Sequence, residues 1–337
     1  MKAIGYQTAG PLDRVNALVD IELPRPVAGG RDLLVEIKAI SVNPVDYKIR
    51  SGVSPESGQW KVLGWDAVGT VVEVGENATL FRRGDDVFYA GSLIRTGANS
   101  QFHLVDERIV GRKPASLSDS EAAALPLTAI TAWEAMFDRL DITRPVAGAA
   151  PAILIIGGSG GVGSIAIQLA RARTNLTVIA TASRPETREW VKELGAHHVI
   201  DHSRPLAAQV AALGLGAPAF VFSTTQTLGH LDEIVELIAP QGRFALIDDP
   251  ESLDIVKFKR KSVSVHWELM FTRSIYETED MAAQGALLND VAGLVDAGTV
   301  RTTVTEVLTP INSKNLCKAH ALLESGKARG KIVLEGF

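Results

Sequence analysis

The sequence predicts an α/β protein that combines a mostly antiparallel β domain with a doubly wound parallel-sheet domain. Short β-like runs separated by Gly, Pro and Asn fill the chain from residue 1 to about residue 112. From residue 152, an apolar β-branched run joins a glycine cluster, and alternating strand and helix patterns then continue to residue 247. The chain has 337 residues, which is long for a single core and indicates about two domains.

The N-terminal runs are typical of a compact antiparallel sheet or barrel, because alternating and β-branched segments recur between turn residues. The clearest strand is 67–74. Arg83-Gly84-Asp85 has the residue types of a turn that leads into the next strand. The predicted strands are 2–6, 33–40, 67–74, 86–90 and 101–105.

A helical pattern then begins near Ser118. Ser118 and Glu121 have the spacing of a capping box, and residues 122–140 are rich in helix formers. Pro126 is expected to kink or restart this helix, since proline lacks the backbone donor that an uninterrupted helix needs.

The segment after the glycine cluster alternates between strands and helices, which is typical of a parallel doubly wound sheet. Its predicted strands are 153–156, 176–181, 198–200, 219–222 and 243–247, and its predicted helices are 161–173, 185–194, 205–213 and 228–238. The tail adds strand 262–267, helix 279–297, strand 302–308, helix 313–325 and strand 331–335, and is predicted to complete the first domain. The domains are therefore predicted as 1–122 with 265–337, and 123–264.

The glycine cluster at 157–163 matches G-x-G-x-x-G through Gly158, Gly160 and Gly163. In this motif one glycine makes the turn, the next lets the backbone approach a pyrophosphate, and the third packs the helix on the strand. The helix N-terminus then offers free N–H groups to phosphate. Purely conformational glycine turns exist, but the flanking strands and helix favour dinucleotide binding. The predicted turn residues are Gly158, Ser159, Gly160, Gly161, Val162 and Gly163.

The end of the second strand of this domain indicates which dinucleotide is bound. NAD-preferring proteins carry an Asp or Glu about 20 residues beyond the glycines, where it accepts from the ribose hydroxyls. Here the chain has Ala182, Ser183 and Arg184. A guanidinium suits phosphate oxygens, so Ser183 and Arg184 predict NADP(H). The alternative is that Ser183 is an ordinary helix N-cap and Arg184 a solvated side chain.

Polar residues also follow the later strands of the parallel sheet. Ligands gather at the carboxyl ends of such strands, so residues there are expected to be cofactor neighbours. They are Ser223 and Thr224 after the fourth strand, and Ile247 and Asp248 after the fifth.

Bulk composition excludes several classes of function. Apolar residues make up 46% of the chain, charged residues 22%, and the net charge is −5, so no basic stripe predicts nucleic-acid binding. No apolar run approaches the roughly 20 residues of a membrane helix, and the N-terminus is typical of a strand, so we expect a cytoplasmic protein. One cysteine, Cys317, precludes an intrachain disulfide, and the seven histidines lack ligand spacing, so no metal site is predicted.

Four motifs in order along the chain resemble the medium-chain dehydrogenase/reductase superfamily. They are GWDAVGTV at 64–71, GDDV at 84–87, LPLTAITAW at 125–133 and GGSGGVG at 157–163. The stretch NPVDYKIRSG at 43–52 is similar to the zinc-independent quinone oxidoreductase branch and its zinc-type alcohol dehydrogenase-like relatives. The resemblance implies a GroES-like catalytic domain and a Rossmann domain. Where the family's zinc enzymes carry their catalytic zinc ligands, the resemblance places Asn43, the triplet Gly64-Trp65-Asp66 and the vicinity of Thr128. The resemblance therefore implies that the zinc ligands are missing from this sequence.

The resemblance also implies roles for residues near the reacting atoms. Asn43 is expected by the nicotinamide ribose or a substrate oxygen, with Asp46, Tyr47 and Lys48 on the adjacent wall. Tyr47 is the best candidate for a proton donor, although an Asn-Pro turn with a packed tyrosine is an equally good structural account. Trp65 either closes the pocket or belongs to the core.

Further residues are expected around the nicotinamide half of the cofactor. Thr128 and Thr131 match family positions that approach it. Phe271 and Thr272 follow a strand that is expected to leave the parallel sheet, and they are predicted to line the same site. Trp267, in that strand, suits a substrate pocket or a dimer interface equally well.

Together these features predict a zinc-independent, NADPH-dependent reductase of quinones or α,β-unsaturated carbonyl compounds, homodimeric by resemblance. Such electron-poor acceptors need hydride and a proton but no Lewis acid to stabilise an alkoxide. Two alternatives stay open: a ketone or aldehyde reductase or alcohol dehydrogenase of the same superfamily, and an NADPH-binding sensor without turnover.

Overall fold

The computed structural model describes residues 1–337, which divide into two compact units. Met1–Ile130 and Phe271–Phe337 form the first unit, and Thr131–Met270 forms the second. The sequence placed these divisions at 122/123 and 264/265. None of the helices combines the length and the hydropathy that a bilayer crossing requires.

The elements follow the chain in this order. Up to residue 133 they are β1 (Lys2–Tyr6), β2 (Val19–Glu22), β3 (Asp32–Ser41), α1 (Pro44–Gly52), β4 (Lys61–Val62), β5 (Ala67–Val74), β6 (Asp86–Tyr89), β7 (Phe102–Asp106), β8 (Val110–Arg112), α2 (Asp119–Ala123) and α3 (Pro126–Trp133). Then come β9 (Ala150–Ile156), α4 (Gly161–Arg173), β10 (Thr177–Thr181), α5 (Pro185–Glu193), β11 (His198–Ile200), α6 (Leu206–Ala212), β12 (Pro218–Ser223), α7 (Thr227–Leu237), β13 (Arg243–Leu246) and β14 (Ser264–Trp267). The tail contains α8 (Thr272–Tyr276), α9 (Ala283–Asp296), β15 (Val304–Leu308), α10 (Ser313–Glu324) and β16 (Lys331–Glu335).

The first unit is built on two sheets. Strands β15-β16-β3-β5-β6-β8 form the larger one, with β7 also paired to β3, and all of its pairs except β15 with β16 are antiparallel. Strands β2-β1-β4 form a small antiparallel sheet. The C-terminal strand β16 lies against β3, so the two ends of the sequence build one core. The predicted mostly antiparallel domain is confirmed.

The second unit contains a six-stranded sheet in the order β11-β10-β9-β12-β13-β14, and every pair in it is parallel. Counted from β9, this is the order 3-2-1-4-5-6 of the dinucleotide-binding doubly wound fold. Central strands of such sheets are covered on both faces, which explains their continuous apolar sequences. The predicted Rossmann-type fold is confirmed.

Helix positions follow local signals. Ser118 accepts the N–H of Glu121, whose carboxylate returns to the N–H of Ser118, so the predicted capping box starts α2. A new helix, α3, begins at Pro126. It continues as a π-helical turn, Glu134–Arg139.

Two expectations need correction. Strand β14 does not leave the parallel sheet; it pairs with β13 as the sixth strand. The connection from β13 to β14 contains a 3₁₀ helix, Ile255–Lys261, in place of an α-helix. The alternation of strands and α-helices in the sequence is therefore interrupted before β14. Asn43-Pro44 is also more than a turn, because Asn43 caps α1 with Pro44 at its first position.

Candidate functional site

The glycine turn of the second unit is shaped to receive a phosphate. Gly160 is the N-cap of α4, and the first N–H groups of that helix have no intrahelical acceptor. A Cβ on Gly160 would meet only the Gly157 carbonyl oxygen, at 3.5 Å, whereas one on Gly163 would lie 2.2 Å from it. Gly163 therefore lets the helix pack on the turn, and Gly160 leaves space above the helix end. The predicted turn residues thus fit a pyrophosphate.

Hydroxyl groups from neighbouring strands fix the shape of this turn. The Thr181 Oγ1 accepts the N–H of Gly157 at 2.9 Å, and the Thr224 hydroxyl donates to the Ile156 carbonyl at 2.8 Å. Both threonines stand at the carboxyl ends of strands beside β9. Thr224 was predicted there, and Thr181 was not.

Ser183 and Arg184 follow β10, where the ribose of a dinucleotide is expected. Arg184 is the N-cap of α5, and its Nε lies 3.3 Å from the Glu186 carboxylate, with 41% of the side chain exposed. No carboxylate occupies positions 182–184 themselves. Arg188 donates to the Ala182 and Val199 carbonyls, so it links the end of β10 to β11.

The residues after β12 and β13 form a connected polar group. The Ser223 and Thr227 hydroxyl oxygens are 2.8 Å apart, and the Asp248 carboxylate accepts the backbone N–H of Thr227 at 2.9 Å. Asp248 therefore caps α7, while Ile247 and Asp248 keep partial exposure at the sheet edge where ligands bind.

A buried polar cluster in the first unit joins residues far apart in sequence. The Lys331 Nζ lies 3.0 Å from Asp66 Oδ2 and 3.1 Å from the Val42 carbonyl oxygen, and it also donates to Asn43 Oδ1. The Asn43 Nδ2 donates to Asp66 Oδ2 at 3.1 Å, and Asp66 Oδ1 accepts the Leu127 N–H. All three ammonium protons thus have acceptors, and both polar atoms of the Asn43 amide make a hydrogen bond within the cluster. These bonds fix the orientation of the Asn43 amide, and its predicted place by the nicotinamide ribose or a substrate oxygen stays a prediction.

Asp46 is also buried at this cluster. Its carboxylate accepts the N–H groups of Asn43, at 2.7 Å, and Gly64, at 3.1 Å. Burial raises the pKa of Asp46 to about 7, against the lowering effects of these N–H groups and of Lys331. Burial also raises the pKa of Asp66, with Lys331 as the main opposing influence. Asp46 therefore holds the backbone at Asn43 and Gly64 in place, and its catalytic role stays a prediction.

Tyr47 and Lys48 occupy the outer side of α1. Tyr47 is partly exposed and its hydroxyl makes no hydrogen bond within the protein, while Lys48 is exposed. A phenol in this state can donate to a bound oxygen.

The aromatic residues predicted near a substrate have different environments. Trp65 is 1% exposed, donates from Nε1 to the Ser92 carbonyl, and meets Phe271 edge-on with ring centroids 6.4 Å apart. It therefore belongs to the core of the first unit. Trp267 is 52% exposed at the end of β14.

The remaining predicted cofactor neighbours are mostly buried. Thr128 donates to the Leu125 carbonyl at 3.1 Å, which satisfies its hydroxyl within the helix. Thr131 is 5% exposed, and Thr272 begins α8 with partial exposure.

The donor set does not fit a catalytic zinc. Such a site needs three protein ligands, usually His, Cys or carboxylate, and no group of three such residues is placed to hold a metal ion. At the family's ligand positions the amide of Asn43 is engaged, Trp65 has no ligating atom, and Asp66 already binds the Lys331 ammonium.

Sequence analysis missed Lys331, Thr181 and Thr227. Thr181 and Thr227 had a usable signal, because each adjoins the end of a predicted parallel strand. Lys331 had none, since it lies 288 residues from Asn43 and carries no local motif.

Two family models match the chain. "Alcohol dehydrogenase GroES-like domain" covers residues 29–115, and "Zinc-binding dehydrogenase" covers 194–334. A zinc-type alcohol dehydrogenase-like protein of Staphylococcus aureus (strain MRSA252) is 40% identical over 99% of both chains.

Solved structures agree along the whole length. A candidate zinc-dependent alcohol dehydrogenase protein of Rhizobium etli CFN 42 is 68% identical, with a TM-score of 0.99 over 100% of this chain and 98% of that one. A quinone oxidoreductase of Pseudomonas syringae pv. Tomato DC3000 is 26% identical, with a TM-score of 0.82 over 99% of each chain.

Proposed function

The chain belongs to the medium-chain dehydrogenase/reductase superfamily of oxidoreductases, and we propose that it reduces quinones or α,β-unsaturated carbonyl compounds with NADPH and without zinc. The observation that carries this proposal is the Lys331 cluster, which engages Asn43 and Asp66 at the positions where the family's zinc enzymes have or flank metal ligands. Two relatives carry zinc in their names, but the donors available here suit an acceptor that needs no Lewis acid.

The second unit would hold the cofactor. The N–H groups of Gly161, Val162 and Gly163 would face the pyrophosphate, and Ser183 with Arg184 would bind the 2′-phosphate. Bound NADPH supplies the hydride. The Arg184–Glu186 contact is exposed, so exchanging it for phosphate would cost little.

Tyr47 is the proposed proton donor. Its hydroxyl makes no bond within the protein, so it can donate to the oxygen on which negative charge develops. Asn43 and Asp46 would hold the start of α1, the helix that carries Tyr47, because Asp46 accepts the Asn43 N–H and the Asn43 amide donates to Asp66.

The first test follows absorbance at 340 nm with NADPH or NADH against a benzoquinone, a naphthoquinone and an enal, with and without EDTA. We expect NADPH to be preferred and EDTA to have no effect. Arg184→Ala should lower the preference for NADPH about ten- to one hundred-fold, because a charge-assisted hydrogen bond contributes ~1.5–3 kcal/mol. The exposed Arg260→Ala in the same unit serves as a matched control and should keep the preference.

Each outcome has a defined meaning. Loss of activity with EDTA would contradict zinc independence and favour the alcohol dehydrogenase alternative. Equal use of NADH would contradict the role of Ser183 and Arg184. Tight NADPH binding without turnover across the panel would favour a sensor.

We further propose a homodimer formed through strand β14. This strand is the outer edge of the six-stranded sheet, and Trp267 and Leu269, each 52% exposed, lie at its end. An edge strand that is followed by exposed large apolar side chains is prone to pair with another chain. Light scattering should give twice the chain mass for the wild type and the chain mass for Leu269→Lys. The control Leu228→Lys, at a 50% exposed site on α7, should stay dimeric; a monomeric wild type would contradict the proposal.

A further inference from the structure

A cleft in the second unit lies at the opposite end of the parallel sheet from the glycine turn. It is lined by Ala150 at the start of β9, Leu176 directly before β10, and Phe220 in the first half of β12. These are the amino ends of three adjacent strands, whereas the glycine turn follows the carboxyl end of β9. Because a seven-residue strand such as β9 spans roughly 20 Å, the cleft and the glycine turn are separate sites.

The cleft has the size and the lining of a small-molecule site. Its volume is about 390 Å³, within the range of roughly 300–1,000 Å³ that is typical of ligand pockets. Ile142, Leu176 and Phe220 line it and are each buried, and the partly buried Val146 adds to the same apolar surface. The inner part of the cleft therefore suits an apolar group.

Internal hydrogen bonds fix two of the segments that line the cleft. The Thr174 hydroxyl donates to the Ala170 carbonyl at 2.7 Å and accepts the N–H of Leu176 at 3.2 Å, which holds the connection from α4 to β10. The Ala149 N–H donates to the Val146 carbonyl at 3.2 Å, which closes the turn before β9. The protein itself thus sets the shape of the cleft, and this lowers the entropic cost of binding.

Arg173 brings a positive charge to this cleft without a counter-charge. Its guanidinium lies over the Trp133 ring, 5.0 Å from the centroid, and makes no ion pair or hydrogen bond within the protein. The loop before β9 contains only two charged side chains, Asp141 and Arg144, which lie 3.6 Å apart. Arg243 also lies 3.9 Å from the Asp141 carboxylate, so two guanidinium groups already share that carboxylate. The positive charge of Arg173 therefore stays unmatched.

The polar groups at the rim suit a carboxylate. Arg173 and Asn175 both line the cleft and are exposed, and the Asn175 amide makes no hydrogen bond within the protein. A guanidinium can donate two parallel hydrogen bonds to one carboxylate, and a neighbouring amide can donate another. One positive charge at the rim matches one negative charge on a ligand.

We propose that this cleft is a second binding site, which takes a small monocarboxylate whose apolar chain or ring lies against Leu176 and Phe220 and whose carboxylate pairs with Arg173. Charge complementarity selects this class, because a neutral compound leaves Arg173 unmatched and a polyanion carries more charge than one guanidinium offsets. The inference is independent of the proposed function, since it involves neither the glycine turn nor Tyr47. Binding at this site makes and breaks no covalent bond.

Isothermal titration calorimetry with octanoate tests the site, with the neutral 1-octanol as the comparison ligand. The wild type should bind octanoate at least about tenfold more tightly than 1-octanol, because only the carboxylate makes charge-assisted hydrogen bonds to Arg173. Arg173→Gln should remove that preference. The matched control Arg171→Gln changes the same residue type in the same last turn of α4, outside the cleft, and should keep the preference.

A second variant fills the apolar part of the cleft. Ala149 lines the cleft and is partly exposed, so the fold should tolerate a larger side chain there. Ala149→Leu should weaken the binding of octanoate and of 1-octanol by about tenfold or more, whereas Arg173→Gln should weaken octanoate alone. This difference separates the apolar contact from the charge.

The same titration on protein saturated with NADPH separates the cleft from the cofactor site. The Kd of octanoate should be unchanged. Displacement of octanoate by NADPH, equal octanoate affinity in the wild type and Arg173→Gln, or no octanoate binding at millimolar concentration would each overturn the proposal. If NADPH itself does not bind, the proposed function is wrong, while the comparison of the wild type with Arg173→Gln still decides the role of the cleft.

Discussion

Replacing Lys331 with methionine is expected to lower the free energy of unfolding by about 3–5 kcal/mol, because it leaves a buried charge without its partner. Asp66 is fully buried, and the Lys331 ammonium 3.0 Å away is its counter-charge. Methionine retains much of the lysine stem, so the lost packing is small. Denaturant unfolding at pH 7 measures the effect.

The pH dependence of this deficit has a definite sign. Burial raises the pKa of Asp66 and Lys331 opposes that rise, so removing the lysine should raise the pKa further. A group with a raised folded pKa stabilises the fold below its unfolded pKa, and this stability is lost as pH rises through the folded value. The deficit of Lys331→Met should therefore be smaller in acid than at neutral pH.

Two controls make the interpretation specific. Lys318→Met removes an exposed lysine of the same unit, 3.0 Å from Glu306, and should cost less than about 1 kcal/mol. The double variant Lys331→Met, Asp66→Asn should be less destabilised than the sum of its single variants, because neither charge remains. Additive losses would mean that the two side chains act independently.

Local signals predicted most elements of this fold. Helix α4 begins after its N-cap Gly160 and ends before Thr174, where a strand-forming stretch follows. Residues adjacent in sequence therefore set both ends of this helix. The capping box of Ser118 and Glu121 likewise needs only residues three apart. Such features depend on neighbours in the chain, so a single sequence contains them.

Features that depend on tertiary partners were not predictable in this way. Asn43-Pro44 suits both a turn and a helix start, and the Asp46 carboxylate, which accepts the N–H groups of Asn43 and of the distant Gly64, favours the helix. Strand β14 has the same pattern in either domain, and its pairing with β13 decides its place. The Lys331 cluster joins residues as far as 288 positions apart, with no motif at either end.

Two variants in the glycine turn can distinguish an effect on cofactor binding from an effect on folding. Gly160→Val should raise the Kd of NADPH at least about one hundred-fold, since the side chain would cover the helix N–H groups that a pyrophosphate needs. The fold should tolerate the change. Gly160 has φ −72° and ψ 176°, which any L-residue adopts, and its Cβ would only touch the Gly157 oxygen at 3.5 Å.

Gly163→Val should fail for a different reason. Its Cβ would lie 2.2 Å from the Gly157 oxygen and 2.7 Å from Gly158 Cα, and these backbone atoms cannot move without opening the turn. This variant should unfold at a much lower temperature, whether or not NADPH is present. Measuring Kd and melting temperature for both variants separates the two roles. If Gly160→Val bound NADPH like the wild type, the glycines would serve only the conformation of the turn, and the cofactor would have to bind elsewhere.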